Sequence, residues 1–190
     1  MRRFPEDPDA VAQACRAGRG GQIIIVSGWR GAGKTSWCLA LASRARALGL
    51  TVAGLASPAV FCDGRKVAID LRDLAGGETR RLAERARPEA PGTATLGWRF
   101  DPAVLAWGNG VLAAAKASDL FVIDELGPLE FVSRAGLTNA FAAIDTGRHH
   151  LTVAVIRPEL TDEALRRWPR ARVLAPAGHA VAPNRTGDAV

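Results

Sequence analysis

The stretch QIIIVS-GWRGAGKT, residues 22–35, decides how the rest of the chain is read. Its first half is an uninterrupted apolar, β-branched run, the pattern of a strand buried on both faces in a parallel sheet. Its second half, Gly28 to Thr35, satisfies GxxxxGK[ST]. The residues that follow put Cys38, Leu41, Ala42, Ala45 and Leu48 on one helical face, with Gly49 placed to cap the helix end. Strand, glycine loop and helix in this order suit phosphate binding. Gly28, Gly31 and Gly33 permit backbone conformations that aim successive N–H groups at phosphate oxygens, and the helix N-terminus adds partial positive charge. Lys34 is expected to reach the β- and γ-phosphates, and the Thr35 hydroxyl to ligate Mg²⁺. The expected nucleotide-binding segment comprises Gly28, Trp29, Arg30, Gly31, Ala32, Gly33, Lys34, Thr35 and Ser36.

A second stretch, LFVIDELGPLE (120–130), runs four apolar residues into two adjacent carboxylates. In phosphate-loop proteins a neighbouring buried strand delivers an acidic residue toward the magnesium, and Asp124 fits that place. Glu125 is then the natural general base, positioning a water for in-line attack on the γ-phosphate. Arg30, inside the loop, and Arg157, just past the apolar run LTVAVI, are candidates for neutralising charge in the transition state. The part played by Glu130 stays open between a helix-start or hairpin contact and catalysis.

Between these motifs the chain alternates strand-like and helix-like segments, which predicts an α/β three-layer sandwich around a mainly parallel sheet. SPAVFCDGRKVAIDL (57–71) departs from that pattern. Asp63-Gly64 is a type I′ turn signal between two β-rich arms, so an antiparallel hairpin is expected as an insertion. Residues 72–92 are charged and rich in Gly and Pro and read as partly loop. Asp101-Pro102 opens a helix expected to run to about Ser118. Another helix is expected to open at Ser133, with Leu137, Ala140, Phe141 and Ile144 facing inward. TDEALRRW reads as a short helix and ARVLA as a last strand. The expected organisation is an N-terminal extension over 1–20, one domain over 21–175 and a mobile tail over 176–190.

At 190 residues, with 48% hydrophobic and 23% charged residues, the chain has the composition of one soluble globular domain. No apolar run approaches the ~20 residues needed to span a bilayer, and the N-terminus lacks a signal-like apolar region. A cytoplasmic location with no membrane partner is the expectation. Cys15, Cys38 and Cys62 suit a reducing compartment better than a disulfide framework, and the three histidines show no metal-ligand spacing. The net charge of +6 comes almost wholly from arginines dispersed along the chain, without the basic-aromatic interleaving of nucleic-acid binders. The arginine pairs 80–81 and 166–167 read as solvated faces of helices. The excess charge points to a small polyanion, and no specific nucleic acid is expected. Nothing in the sequence identifies a protein partner. LAGGETRR (74–81) is similar to the signature stretch of ABC-type ATPases, but it lies too far before Asp124 for that role.

Together GWRGAGKTS, VAGLASPAVFCDGRKVAIDL and VIDELGPLE resemble the THEP-type nucleoside-triphosphatases, the family that includes human cancer-related nucleoside-triphosphatase. The resemblance covers about Ile23 to Val173, and its most specific mark is the Asp-Glu-Leu-Gly-x-x-Glu stretch. It implies the phosphate-loop NTPase fold and Mg²⁺-dependent hydrolysis of several nucleoside triphosphates, ATP and GTP among them, to diphosphate and phosphate. Three departures bear on substrate preference. Arg30 stands where the family often has Pro. LASPA follows Gly54 where the family tends to carry an acidic residue, and Trp98 replaces a usual Tyr. Two rival readings remain on the same fold: a small nucleotide or nucleoside kinase, with residues 78–92 as a lid, or a partner-regulated nucleotide switch.

Overall fold

Gln22–Ser27 forms the first strand (β1) because its β-branched run has partners on both sides. It pairs in parallel with Leu151–Ile156 (β9) and with Arg172–Leu174 (β10). The computed structural model describes residues 4, 6–18, 20–86, 94–95 and 97–176. Within them the sheet runs β10-β1-β9-β8-β2-β4-β5-β7-β6, with β3 paired to β4. Here β2 is Val52–Ala56, β3 Ala59–Cys62, β4 Arg65–Asp73, β5 Thr79–Arg85, β6 Ala94–Thr95, β7 Trp98–Phe100 and β8 Leu120–Leu126. From β10 to β2 every pairing is parallel; from β2 onward every pairing is antiparallel.

Helices cover both faces, as a two-faced apolar sheet demands. On one face Lys34–Ala47 (α2) packs with Pro8–Ala17 (α1), burying Val11, Ala12, Cys15, Trp37, Cys38, Leu41 and Ala42 against Ile24, Val26 and Val122. The opposite core joins Ile25, Leu55, Phe121 and Ile123 to residues of Pro102–Ala114 (α3), Asn139–Asp145 (α5) and Thr161–Arg167 (α6). A single turn, Pro128–Phe131 (α4), follows β8. Each fully buried Leu or Ile in these layers contributes about 1.5–3 kcal/mol. The three-layer α/β expectation holds.

Helix ends follow their local chemistry. Asp7 accepts from the Asp9 N–H at 2.9 Å and Pro8 occupies the first turn of α1; Asp101 and Pro102 do the same for α3, with the Ala103 N–H at 2.8 Å. Gly49 (φ 78°) ends α2, its N–H donating to Arg46 O while the Leu50 N–H donates to Ala45 O.

Three sequence expectations change. The inserted hairpin is real, with Asp63 (φ 48°) and Gly64 (φ 72°) both left-handed as a type I′ turn requires. It is one part of a larger antiparallel extension, because residues 79–85 form a strand between β4 and β7 rather than a loop. Arg80 and Arg81 therefore sit on a strand, not a helix. The ABC-like stretch becomes the turn from β4 into β5, and the stretch suggested as a lid is pinned by strand pairing up to Arg85. Finally, the helix expected from Ser133 begins at Asn139. Arg134 (φ 53°) and Gly136 (φ 71°) are left-handed, which an α-helix cannot accommodate. Leu137, Ala140 and Ile144 are buried as expected, with Phe141 partly so.

All three cysteines are free thiols, two of them buried. Among the described residues no helix is long and apolar enough to cross a membrane. The tail expectation falls, from residue 177 on, outside the described residues.

Candidate active site

The phosphate loop hangs from β1 and closes on α2 through three left-handed glycines, Gly28 (φ 153°), Gly31 (φ 76°) and Gly33 (φ 88°). Gly28 is also closely surrounded. A Cβ there would lie 3.2 Å from the Pro176 ring and 3.4 Å from Ala32 Cβ, so the chain after β10 returns across the loop base. Trp29 and Arg30 are exposed, Ala32 is half-buried and Ser36 is exposed. Lys34 Nζ donates to Trp29 O at 2.9 Å and to Gly28 O. Burial lowers the pKa of this ammonium, while Glu125 and Asp124 act to raise it. It thus holds the loop with hydrogen bonds that a phosphate can replace.

Beside the loop, β8 departs from regular pairing where its carboxylates begin. Leu120 to Ile123 match Leu151 to Ala154 one for one, but Leu126 then pairs with Ile156, so β8 has one residue more than β9. That is a β-bulge, a device that re-aims side chains and recurs next to active sites. Glu125 takes it up with φ 89°, uncommon for any residue with a side chain. The two carboxylates consequently part company. Asp124 is 2% exposed; its Oδ1 accepts from Thr35 Oγ1 at 3.2 Å and its Oδ2 from the Ser57 N–H at 3.0 Å. Burial pushes its pKa up to about 6, with the Ser57 and Thr35 hydrogen bonds pulling the other way. Glu125 is exposed, and its Oε1 accepts from Arg157 Nη2 at 2.9 Å. Arg157 stands at the end of β9, packed beside Gly127, where a Cβ would meet its Nε at 3.5 Å.

Glu130 has a different occupation. It is 6% exposed, and its two oxygens accept from the Gly127 N–H at 2.9 Å and the Leu137 N–H at 3.1 Å. A Cβ on Gly136 would lie 2.1 Å from its Oε1, so the turn around it is shaped to this carboxylate. It ties α4 to the approach of α5, which is the helix-start contact among the two alternatives.

Lys34, Thr35, Asp124, Glu125 and Arg157 are therefore brought together at one edge of the sheet, by β1–α2, β8 and β9. Arg30 lies in the loop and exposed, and its charge acts to lower the pKa of Lys66. Sequence reasoning missed two participants. Ser57 offers a backbone N–H, to which side-chain motifs are blind. Thr161 meets the buried Ser27 hydroxyl at 3.1 Å beneath the loop, a long-range pairing with no local signal.

The donor set suits a hard divalent cation. A buried carboxylate hydrogen-bonded to a threonine hydroxyl offers the oxygen ligands that such an ion would take.

Comparison with known proteins gives the lineage of the chain. The profile of the NTPase family matches residues 23–174. Curated relatives are nucleoside-triphosphatase THEP1 proteins. That of Methanopyrus kandleri is 30% identical over 112 residues, 59% of this chain and 61% of its own length. The Ignicoccus hospitalis protein is 30% identical over 140 residues, 74% of this chain and 78% of its own. This chain thus spans somewhat less than two thirds of the first of these relatives and more of the second. Among solved structures, the human cancer-related nucleoside triphosphatase superposes with a TM-score of 0.64 at 19% identity, covering 84% of this chain and 91% of that one. THEP1 from Aquifex aeolicus gives 0.59 at 16% identity, covering 83% and 91%. These two likenesses concern the fold; the profile and the curated relatives concern the lineage, and on them the chain belongs to the THEP-type nucleoside-triphosphatase family of P-loop enzymes.

Proposed function

We propose that this protein hydrolyses nucleoside triphosphates, ATP and GTP among them, to diphosphate and phosphate with Mg²⁺ as cofactor. The observation that carries the reading is the split pair: Asp124 buried against Thr35, and Glu125 turned outward by the bulge and held by Arg157. The loop N–H groups and Lys34 bind the β- and γ-phosphates, Lys34 exchanging its bonds to Gly28 O and Trp29 O for phosphate oxygens. Thr35 and Asp124 would hold Mg²⁺, which when bound neutralises phosphate charge. Glu125 orients a water in line with the bond to be cut. As the water oxygen bonds to the γ-phosphorus, the bond to the β,γ-bridging oxygen breaks. The water's proton passes to the Glu125 carboxylate, and the diphosphate leaves with the bond's electron pair. Arg157 holds the carboxylate in position and is the first candidate to share the charge that develops on the phosphoryl group. Arg30 is the second candidate for that neutralisation.

The test is phosphate release across a panel of nucleotides, with no acceptor added, with and without Mg²⁺. Release from several triphosphates that stops on chelation is expected, and Lys34→Ala should abolish both binding and turnover. Turnover that needs an added acceptor would instead assign a kinase, and tight binding without turnover a nucleotide switch.

A further inference from the structure

The β3–β4 hairpin grows directly out of the site. Ser57 donates its N–H to Asp124, and the next residue, Pro58, accepts from the Asp70 N–H at 2.9 Å, which fixes the base of the hairpin beside that carboxylate. Lys66 stands near the tip, paired in register with Phe61. Its Nζ lies 5.0 Å from the centroid of the Trp98 ring, and Trp98 is 8% exposed. Arg85 shares that ring, its guanidinium carbon 5.7 Å from the centroid, and its Nε donates to Lys66 O at 3.3 Å.

Two cations on one indole repel each other, and Arg30 adds to the repulsion felt by Lys66. Among the described residues neither Lys66 nor Arg85 forms an ion pair with a carboxylate, unlike Arg81, which is bonded to Asp70 at 2.6 Å on the same ribbon. Burial lowers the Lys66 pKa, and the charges of Glu125 and Asp124 act to raise it. A half-buried ammonium placed this way has a framework to stand on and no anion of its own. An indole face holds an ammonium in place without neutralising it.

We propose that Lys66, seated on Trp98, is a second phosphate-binding lysine of the active site, meeting the terminal phosphate of a bound triphosphate from the hairpin side while Lys34 meets it from the loop. Trp98 is its positioning residue. This rests on the triphosphatase reading above. The ligand it takes is the γ-phosphoryl group, whose three oxygens carry the charge that grows during transfer. A positive charge with several N–H donors suits that target. The diphosphate product lacks the group, so Lys66 discriminates substrate from product and favours release after cleavage.

The test compares Lys66→Gln, Lys66→Arg and Trp98→Leu with the parent protein. It reads kcat and KM for phosphate release, and separately the equilibrium Kd of a non-hydrolysable triphosphate analogue and of the matching diphosphate. Lys66→Gln should lower kcat on the order of 10²-fold, the usual loss for one transition-state donor. It should weaken the analogue by ~10-fold, as one charge-assisted hydrogen bond requires, and leave the diphosphate Kd unchanged. Lys66→Arg should recover most of both losses, and Trp98→Leu should fall between. The proposal is overturned if Lys66→Gln keeps the parent's kcat and its preference for triphosphate over diphosphate. Equal loss of affinity for both nucleotides, or a Lys66→Arg variant as poor as Lys66→Gln, would also overturn it. If the parent releases no phosphate at all, the triphosphatase reading fails on its own, and the ratio of the two Kd values still decides whether Lys66 reads the terminal phosphate.

Discussion

Asp124 and Glu125 are neighbours in sequence with opposite environments, and the bulge in β8 is the reason. One faces Thr35 in a dry interior, the other faces water and Arg157. Glu125→Gln should leave nucleotide affinity nearly unchanged while lowering kcat by roughly 10²–10⁴-fold, the range of a positioned general base. Wild-type hydrolysis by that variant would remove Glu125 from the mechanism. Asp124→Asn should instead impair Mg²⁺-nucleotide binding together with rate, and it should stabilise the nucleotide-free protein. The amide can accept from the Ser57 N–H and donate to Thr35 Oγ1, so both hydrogen bonds survive without the buried charge. Because burial raises the Asp124 pKa from 3.8 to about 6, the folded state is penalised above pH 6 and relieved as pH falls toward 3.8. At pH 7.5 the amide therefore gains on the order of 1–3 kcal/mol in urea unfolding, and a less stable variant would count against this account. The presence of two carboxylates at this strand end is legible in the sequence. Their directions are not, since nothing in IDEL signals a left-handed glutamate.

At the scale of elements, what the sequence discloses depends on whether an element carries its own pattern. β1, β8 and β9 are apolar runs buried on both faces, and α1 to α3 have capping residues or a C-terminal glycine in place; all are readable from local chemistry. β5 is not. In TRRLAER Leu82 and Ala83 are buried while the residues around them are exposed, and the strand is held by backbone pairing to β4 and β7 rather than by alternation. The late start of α5 depends on Glu130 gripping the Leu137 N–H, a contact seven residues long that periodicity cannot report. β2 shows a further constraint hidden from pattern reading. Gly54 (φ 103°) runs alongside β8 so closely that a Cβ would lie 2.0 Å from Val122 O, which is backbone and cannot turn aside. Gly54→Ala must both adopt a disfavoured φ and push apart the strands that carry Ser57 and Asp124. A destabilisation above ~3 kcal/mol in urea is expected, with loss of triphosphatase activity following the strand shift. A Gly54→Ala variant within ~0.5 kcal/mol of the parent would show that β2 and β8 do not approach as described.

The whole molecule places two buried titrating groups at opposite ends of one sheet, and their effects on stability have opposite signs. Asp124 sits where the parallel strands end. His149 sits where β8 and β9 begin, 1% exposed, stacked on Phe121 at 4.1 Å and hydrogen-bonded through Nδ1 to Ser118 Oγ at 2.9 Å. Its Nε2 is buried with no hydrogen-bond partner among the described residues. Burial lowers the His149 pKa from 6.5 to about 4, with Arg148 adding to the shift. The imidazole thus stays neutral in the fold at pH values where the unfolded chain binds a proton. Its contribution is fully present above pH 6.5 and is lost as pH falls toward 4. Over much of the same window the protonation of Asp124, and of Glu130, whose pKa burial also raises, works in the other direction, so the parent's pH–stability curve blends opposed terms. Single variants separate them. His149→Phe keeps a ring against Phe121, removes the unpartnered nitrogen, and leaves Ser118 Oγ its bond to Leu120 O at 3.1 Å. Relative to the parent, this variant should gain stability steadily between pH 6.5 and 4. The slope should approach 1.4 kcal/mol per pH unit and the total about 3 kcal/mol, measured by urea unfolding at several pH values with chelator present. A difference between parent and variant that stays constant across that range would mean that His149 takes up its proton in the fold as readily as in the unfolded chain.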